Sequence, residues 1–398
     1  MALKLVSNGT LDSETVRKTV IERLRPLFQK ISAGYRLDRD MALNTVVYAA
    51  TQGQSLHAAC AALTHTVDDN TLRDALNAAF PANSVRTLEQ QVNGLLLADL
   101  PDEVRAGRRD IAIDLHDVPY YGRVAELDGW ICRGKARSGT THFVRIATAY
   151  LMLDGLRINL AVRFVRPTFE LADVVSTLLV GLRRTGLRVC CVWLDRGFAS
   201  VAVIQRLQSL RLPAIIACPI RGQDGGTRAL CRGRVSYTTS YTMNSQYSSC
   251  TVRMAVVRGY VHNRGQSKRA RWFLYIQVGL AWTPQQVHSQ YRRRFGIESS
   301  YRCLGQVRPR TTSRNPALRF LWLSIGLLLV NAWTLLRYKY CRVRLPARGF
   351  RRQPVMREVR NLFRLDRMRS FLRHAIEAIY GFLDSIPINH VPATFGNY

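Results

Sequence analysis

Lysine and acid are what this chain has least of. Only six of its 58 basic residues are lysines (Lys4, Lys18, Lys30, Lys135, Lys268 and Lys339), and the basic residues face only 27 aspartates and glutamates. The shortage of acid leaves a formal net charge of +31, which favours a polyanionic partner, DNA or RNA first. The shortage of lysine makes that charge almost wholly guanidinium, the group that binds phosphates and base edges bidentately. Codon bias toward arginine explains the Arg:Lys ratio equally well, but not the excess over acid. The nine cysteines form no C-x-x-C pair, which argues against a zinc site and a disulfide framework; Cys190 and Cys191, adjacent in an apolar run, read as buried thiols. The opening MALKLVSNGTLDSETVRK lacks the apolar stretch of a secretory signal, so a cytoplasmic protein is expected. The run from Phe320 to Leu336 falls just short of the roughly 20 residues that cross a bilayer. Ser324, Gly326, Asn331 and Thr334 interrupt it, and no membrane association is expected. There is no internal repeat and no low-complexity segment.

What is present is ample apolar content, 47% of 398 residues, enough for two or three domains. Residues 1–100 read as a helical domain. Within it, a short helix from Ser55, a break at His65 to Asp69 and a helix from Asn70 to Phe80 have helix-turn-helix spacing, with Thr71, Arg73 and Asn77 facing DNA if the motif reads bases. A plain helical packing domain is the alternative. From Arg109 the periodicity changes to strands: RDIAIDLHDVPYYG, THFVRIATAYLMLD and LRINLAVRFVRP. A helix with Leu171, Val174, Val175, Leu178, Leu179 and Leu182 on one face follows, with Thr168 available as its N-cap. Then come the strand RVCCVWLD, a helix over Ser200 to Leu210 and the strand PAIIAC. The order βββαβαβ predicts an α/β fold with a ribonuclease-H-like mixed sheet over 101–220, in which the first and fourth strands lie side by side. Residues 221–282 alternate in the manner of a β-rich insertion. Residues 283–340 return to helices and complete the catalytic core, and 341–398 form a basic, partly helical C-terminal tail.

That strand order brings acids together. Asp114 ends the apolar strand IAI and Asp195 ends CCVWL, so the two carboxylates are expected to meet. Glu298 follows on a helix that can present a third to the same edge. Three oxygen ligands without His or Cys suit Mg²⁺, with Mn²⁺ as a substitute. At about 100° per residue, Tyr291, Arg294, Glu298, Arg302 and Gly305 share one helical face, which places a phenol and two guanidiniums where phosphates would lie. Asp117 competes with Asp114 as a ligand; Asp114 is preferred because it directly follows the apolar run. His116 is either an outer-shell group or a strand histidine with a local hydrogen bond.

The segments D114-L-H-D-V-P-Y-Y-G, L-D195-R-G-F and Y291-R-R-R294-F-G-I-E298-S-S-Y-R resemble the insertion-sequence transposases of the DDE class. The last is similar to the Tyr-x2-Arg-x3-Glu-x6-Lys signature of the cut-and-paste group that carries a β-strand insertion. The resemblance spans residues 110 to 337 and departs at the final position, where Gly305 replaces lysine and Arg302 is the candidate substitute. It implies a DNA transposase in which Asp114, Asp195 and Glu298 hold two Mg²⁺ ions. Tyr291, Arg294 and Arg302 would contact DNA. It further implies transposon ends and target DNA as substrates, a homodimer on double-stranded DNA, and a nucleoid-associated prokaryotic setting. A nuclease or resolvase that cuts without joining, and a catalytically inactive DNA-binding protein, are the alternatives.

Overall fold

The computed structural model describes residues 11–31, 34, 36–98, 100–152, 158–261, 269–340 and 364–383. It opens with four helices, α1 (Ser13–Leu24), α2 (Arg39–Gln52), α3 (Leu56–Ala62) and α4 (Asp69–Ala79), followed by α5 (Val85–Ala98) and the short α6 (Asp102–Ala106). Four strands come next: β1 (Arg108–Pro119), β2 (Cys132–Arg137), β3 (Thr140–Leu151) and β4 (Asn159–Val165). Helix α7 (Leu171–Arg184), β5 (Arg188–Leu194), α8 (Val201–Ser209) and β6 (Ala214–Cys218) continue the alternation. The strands β7 (Tyr237–Asn244), β8 (Ser249–Val261) and β9 (Arg269–Val278) precede α9 (Pro284–Tyr291), α10 (Gly296–Gln306), α11 (Pro316–Tyr340) and α12 (Leu365–Tyr380).

The chain divides into two compact units, Val85–Cys303 with the segment from Thr334, and the N-terminal helices with Leu304–Trp333 and the C-terminal helix. The first is built on one nine-stranded mixed sheet in the order β2-β3-β1-β5-β6-β9-β8-β7, with β4 also on β3. β1 runs antiparallel to β3 and parallel to β5, and β5 is parallel to β6. The fold is therefore α/β, and the first strand lies beside the strand that ends in Asp195. Strand periodicity sorts the side chains. Ile111, Ile113, Val192 and Leu194 join the core formed with Val174, Val175, Leu178 and Leu179 of α7 and Val203, Ile204 and Leu207 of α8. Ala112, Asp114, His116 and Trp193 alternate with them and point to the other face.

Three features differ from the sequence expectations. The strands of 221–282 do not stand apart: β9 pairs antiparallel with β6, so the insertion prolongs the central sheet. The expected boundary at residue 100 gives way to one at Ser84/Val85, because α5 covers the outer edge of β4. There Asn93 bonds both the carbonyl and the N–H of Val162, at 3.0 and 2.7 Å, and Glu89 accepts from the N–H of Phe164 at 3.1 Å, so side chains satisfy an edge that would otherwise invite pairing. Finally, α7 has Glu170 rather than Thr168 at its N-cap. The short β2 pairs with β3.

In the second unit Asp12, Asp38, Ser55 and Asp68 each cap a helix through the backbone N–H three residues on, as N-cap chemistry favours. Gly53, at φ 62°, ends α2 in the left-handed region. Part of the expected basic tail is a structural element: α12 packs on α1 and α2, with Tyr48 donating to Glu377 at 2.9 Å. The rest of 341–398, apart from Arg364 and residues 381–383, lies outside the described residues. Helix α11 is long and apolar enough to cross a membrane by length and composition, yet 89% of its apolar window is buried within the protein. Every described cysteine is a free thiol.

Candidate functional site

The parallel pairing of β1 with β5 sets Ile113 opposite Leu194, so Asp114 and Asp195 are the next residue on each strand. Asp195 leaves the sheet in extended conformation and begins a 3₁₀ turn over Arg196–Phe198. Asp195 follows the end of β5, whereas Asp114 lies within β1, which runs on to Pro119 beside β3 rather than ending at IAI as expected; both carboxylates follow the last paired residues of β1 and β5.

The third acid arrives from the helical segment after β9. Thr283 and Gln286 form a reciprocal capping box that starts α9, and the chain then tightens into a 3₁₀ turn over Arg292–Phe295 before α10. Two tyrosines fix this segment to the sheet. The buried phenol of Tyr291 donates to the carbonyl of Leu194 at 3.0 Å, and its ring sits among Trp193 and Tyr275. The buried Tyr301 donates to the carbonyl of Asp114 at 3.1 Å, shares a 2.6 Å hydrogen bond with the Thr148 hydroxyl and stacks on His116 at 4.5 Å between ring centroids.

Between these anchors lies Arg294, only 4% exposed. Its guanidinium reaches Asp114 at 3.2 Å, Asp195 at 3.4 Å and Glu298 at 3.8 Å. The three acids grade from inside outward, with side chains 16%, 37% and 51% exposed. Burial pushes the Asp114 carboxyl up to about 6, with Arg294 pulling it down and Asp195 adding to the rise. One cation facing three carboxylates leaves an excess of negative charge.

That excess, and the donor chemistry, fit divalent cations that prefer hard oxygen ligands. As they stand, no three His, Cys, Asp or Glu side chains among the described residues are close enough together to hold one ion. Arg294 is the cation the acids share here.

The structure brings together Asp114, Asp195, Glu298 and Arg294. It turns Tyr291 inward, where its phenol donates to the carbonyl of Leu194, while Arg294 stands over its ring at 5.4 Å and reaches on to Glu298, so the three remain neighbours along the segment. Arg302 is exposed, one turn past Glu298 on α10, and Gly305 is exposed, with open space where a side chain would begin. Asp117 is engaged elsewhere, bound bidentately by Arg145 at 2.6 and 3.0 Å. Sequence reasoning overlooked Tyr301, though a tyrosine three residues after a candidate ligand on a helix is the kind of position that docks the helix. In the helical unit, exposed Thr71 and Arg73 bond back to the first turn of α4, to Asp68 and Asp69, and Asn77 accepts from Asn315 at 3.1 Å.

No family model and no curated protein matches the chain. A solved structure does. The cryo-electron microscopy structure of a piggyBac transposase synaptic complex with hairpin DNA is similar to this chain with a TM-score of 0.52, over 94% of this chain and 80% of that one, at 11% identity. The fold is shared with a transposase.

Proposed function

We propose that this chain is a transposase that cuts DNA at transposon ends and joins the freed 3′ ends to target DNA, by metal-dependent phosphoryl transfer on a ribonuclease-H-like core. The observation that carries this is the convergence of Asp114, Asp195 and Glu298, from two adjacent parallel strands and a helix, on the one guanidinium of Arg294. The order β4-β3-β1-β5-β6 within the larger sheet supports the ribonuclease-H-like reading, and the likeness to a transposase in a synaptic complex with hairpin DNA supports the reaction class.

Asp114, Asp195 and Glu298 would hold two Mg²⁺ ions, or Mn²⁺ in their place. Such ions, when bound, activate the attacking oxygen and stabilise the leaving one. The chain's own residues do the rest. Tyr291 and Tyr301 hold α9 and α10 on the end of β5 and the middle of β1, so that Glu298 is delivered to the aspartates without loss of orientation. Arg302, exposed beside Glu298, is positioned to bind a backbone phosphate in place of the signature lysine that Gly305 lacks. The net charge of +31 draws in duplex DNA and fixes it through phosphates. Two transposon ends must be held at once, so the active form is a homodimer on DNA, acting in the cytoplasm on the nucleoid.

The deciding experiment incubates the protein with its element's terminal sequences and a target plasmid in Mg²⁺ and sequences the products. Junctions of transposon ends with target DNA are expected. Cleavage without junctions would make it a nuclease or resolvase, and binding without cleavage a DNA-binding protein.

A further inference from the structure

We infer that Arg294 is a built-in counter-ion that a divalent cation displaces, so that metal loading and the release of this arginine are one coupled event. The inference rests on the reading of Asp114, Asp195 and Glu298 as metal ligands. It adds a competitor for their site that belongs to the protein itself.

The geometry of the guanidinium carries it. Charge-assisted N–H···O bonds settle at about 2.7–2.9 Å, and Arg145 comes near this with Asp117, at 2.6 and 3.0 Å. Arg294 instead stands 3.2, 3.4 and 3.8 Å from three different acids. It is forked onto none of them and shared by all, the position of a neutralising charge rather than of a fixed clasp. The guanidinium is buried beside Asp114, the least exposed of the three acids, so the inner carboxylate is the one that water screens least and that most needs a cation beside it.

A divalent ion cannot simply be added. Mg²⁺ binds oxygens at about 2.0–2.1 Å, far closer than the acids can draw in around an intervening guanidinium, and as they stand no three of the described acids are near enough to hold an ion. The carboxylate oxygens that face Arg294 are those a metal would take. Either cation neutralises the cluster, and the two compete for the same oxygens. By linkage, whatever holds Arg294 in place weakens the metal, and whatever draws it out, a DNA phosphate included, strengthens the metal by the same factor.

The test measures Mn²⁺ binding to the full chain without DNA, by electron paramagnetic resonance of free Mn²⁺, together with melting temperature with and without the metal. Removing the competitor in Arg294→Gln is expected to tighten Mn²⁺ binding by at least about fivefold. The metal-free protein should melt lower and the metal-induced rise should grow. A folded Arg294→Gln that binds Mn²⁺ no better than the unmodified chain, or worse, overturns the inference and makes Arg294 a scaffold for the ligands. Should that variant fail to fold, Arg294→Lys decides: its single ammonium spans fewer acids, so tighter Mn²⁺ binding supports displacement and equal or weaker binding overturns it. Failure of both the unmodified chain and the arginine variants to bind Mn²⁺ overturns the metal reading as well, whereas binding that ignores Arg294 overturns the counter-ion role alone.

Discussion

Asp114 and Asp117 lie three residues apart on one strand, and each meets an arginine, but the two settings differ in stoichiometry. Asp117 and Arg145 pair one to one in a bidentate bridge, with charge and hydrogen bonds matched. Asp114 shares Arg294 with Asp195 and Glu298, so the same chemistry is left with negative charge to spare. An odd spacing on a pleated strand puts the two aspartates on opposite faces, which is why only one of them can join the acids from β5 and α10. A matched, partly buried pair leaves no charge over, while an unmatched cluster is the setting in which the proposed metal would be held.

The largest effect should come from removing a member of the cluster. Asp114→Ala, Asp195→Ala and Glu298→Ala are each expected to abolish Mg²⁺-dependent cleavage with DNA binding kept, measured on labelled transposon ends, while Asp117→Ala should cut at a readily detectable rate. Normal cleavage by any of the first three, or complete loss only in Asp117→Ala, would reverse the assignment.

Next in size is the contrast between an exposed arginine beside the cluster and one spent in the pair. Arg302→Ala should slow cleavage by roughly a hundredfold and lower the salt slope of binding by about 0.9. Arg302→Lys should recover part of the rate, since a point charge suffices for one phosphate. Near-normal cleavage by Arg302→Ala, with a large defect in Arg308→Ala, would move the phosphate contact to Arg308.

For stability the ranking is inverted. Arg145→Ala leaves a half-buried carboxylate without its partner and should cost about 2 kcal/mol, read by urea unfolding, with Mn²⁺ affinity unaltered. A loss of metal affinity comparable to that of Asp114→Ala would mean that the two settings are not separate.

The smallest expected effect is on pH dependence. Asp114 titrates near 3.8 in the unfolded chain and is pushed up to about 6 by burial in the fold. A carboxyl raised in this way favours the folded state when protonated. Its contribution is complete below about pH 4 and is lost as pH climbs through about 6. The metal-free protein should therefore lose stability across that window, and Asp114→Asn should flatten the slope. An unchanged slope in Asp114→Asn would place the titration in another group.

Much of this was legible in the chain. The apolar runs IAI and CCVWL end at Asp114 and Asp195 because buried parallel strands are continuous hydrophobic stretches. The periodicity of α7 and α8 likewise declares which faces pack on the sheet. The turn Arg292–Phe295 was not legible, since nothing in RRRF distinguishes 3₁₀ from α winding, nor was the docking of Tyr291, which depends on the carbonyl of Leu194 on a strand distant in sequence. Nor was α5 at the edge of β4, because Asn93 and Glu89 look like ordinary helix-surface residues until a strand edge needs their hydrogen bonds. Joining of the insertion to β6 depends on pairing between segments more than fifty residues apart, which local pattern does not encode. The sequence by itself determined the basic character, the acids that follow the apolar runs and the helix that carries Glu298, because composition and short-range periodicity are local properties. Only the tertiary structure decided that Arg294 sits among three acids and that Asp117 belongs to Arg145, because charge balance is a property of whichever groups the fold brings within a few ångströms.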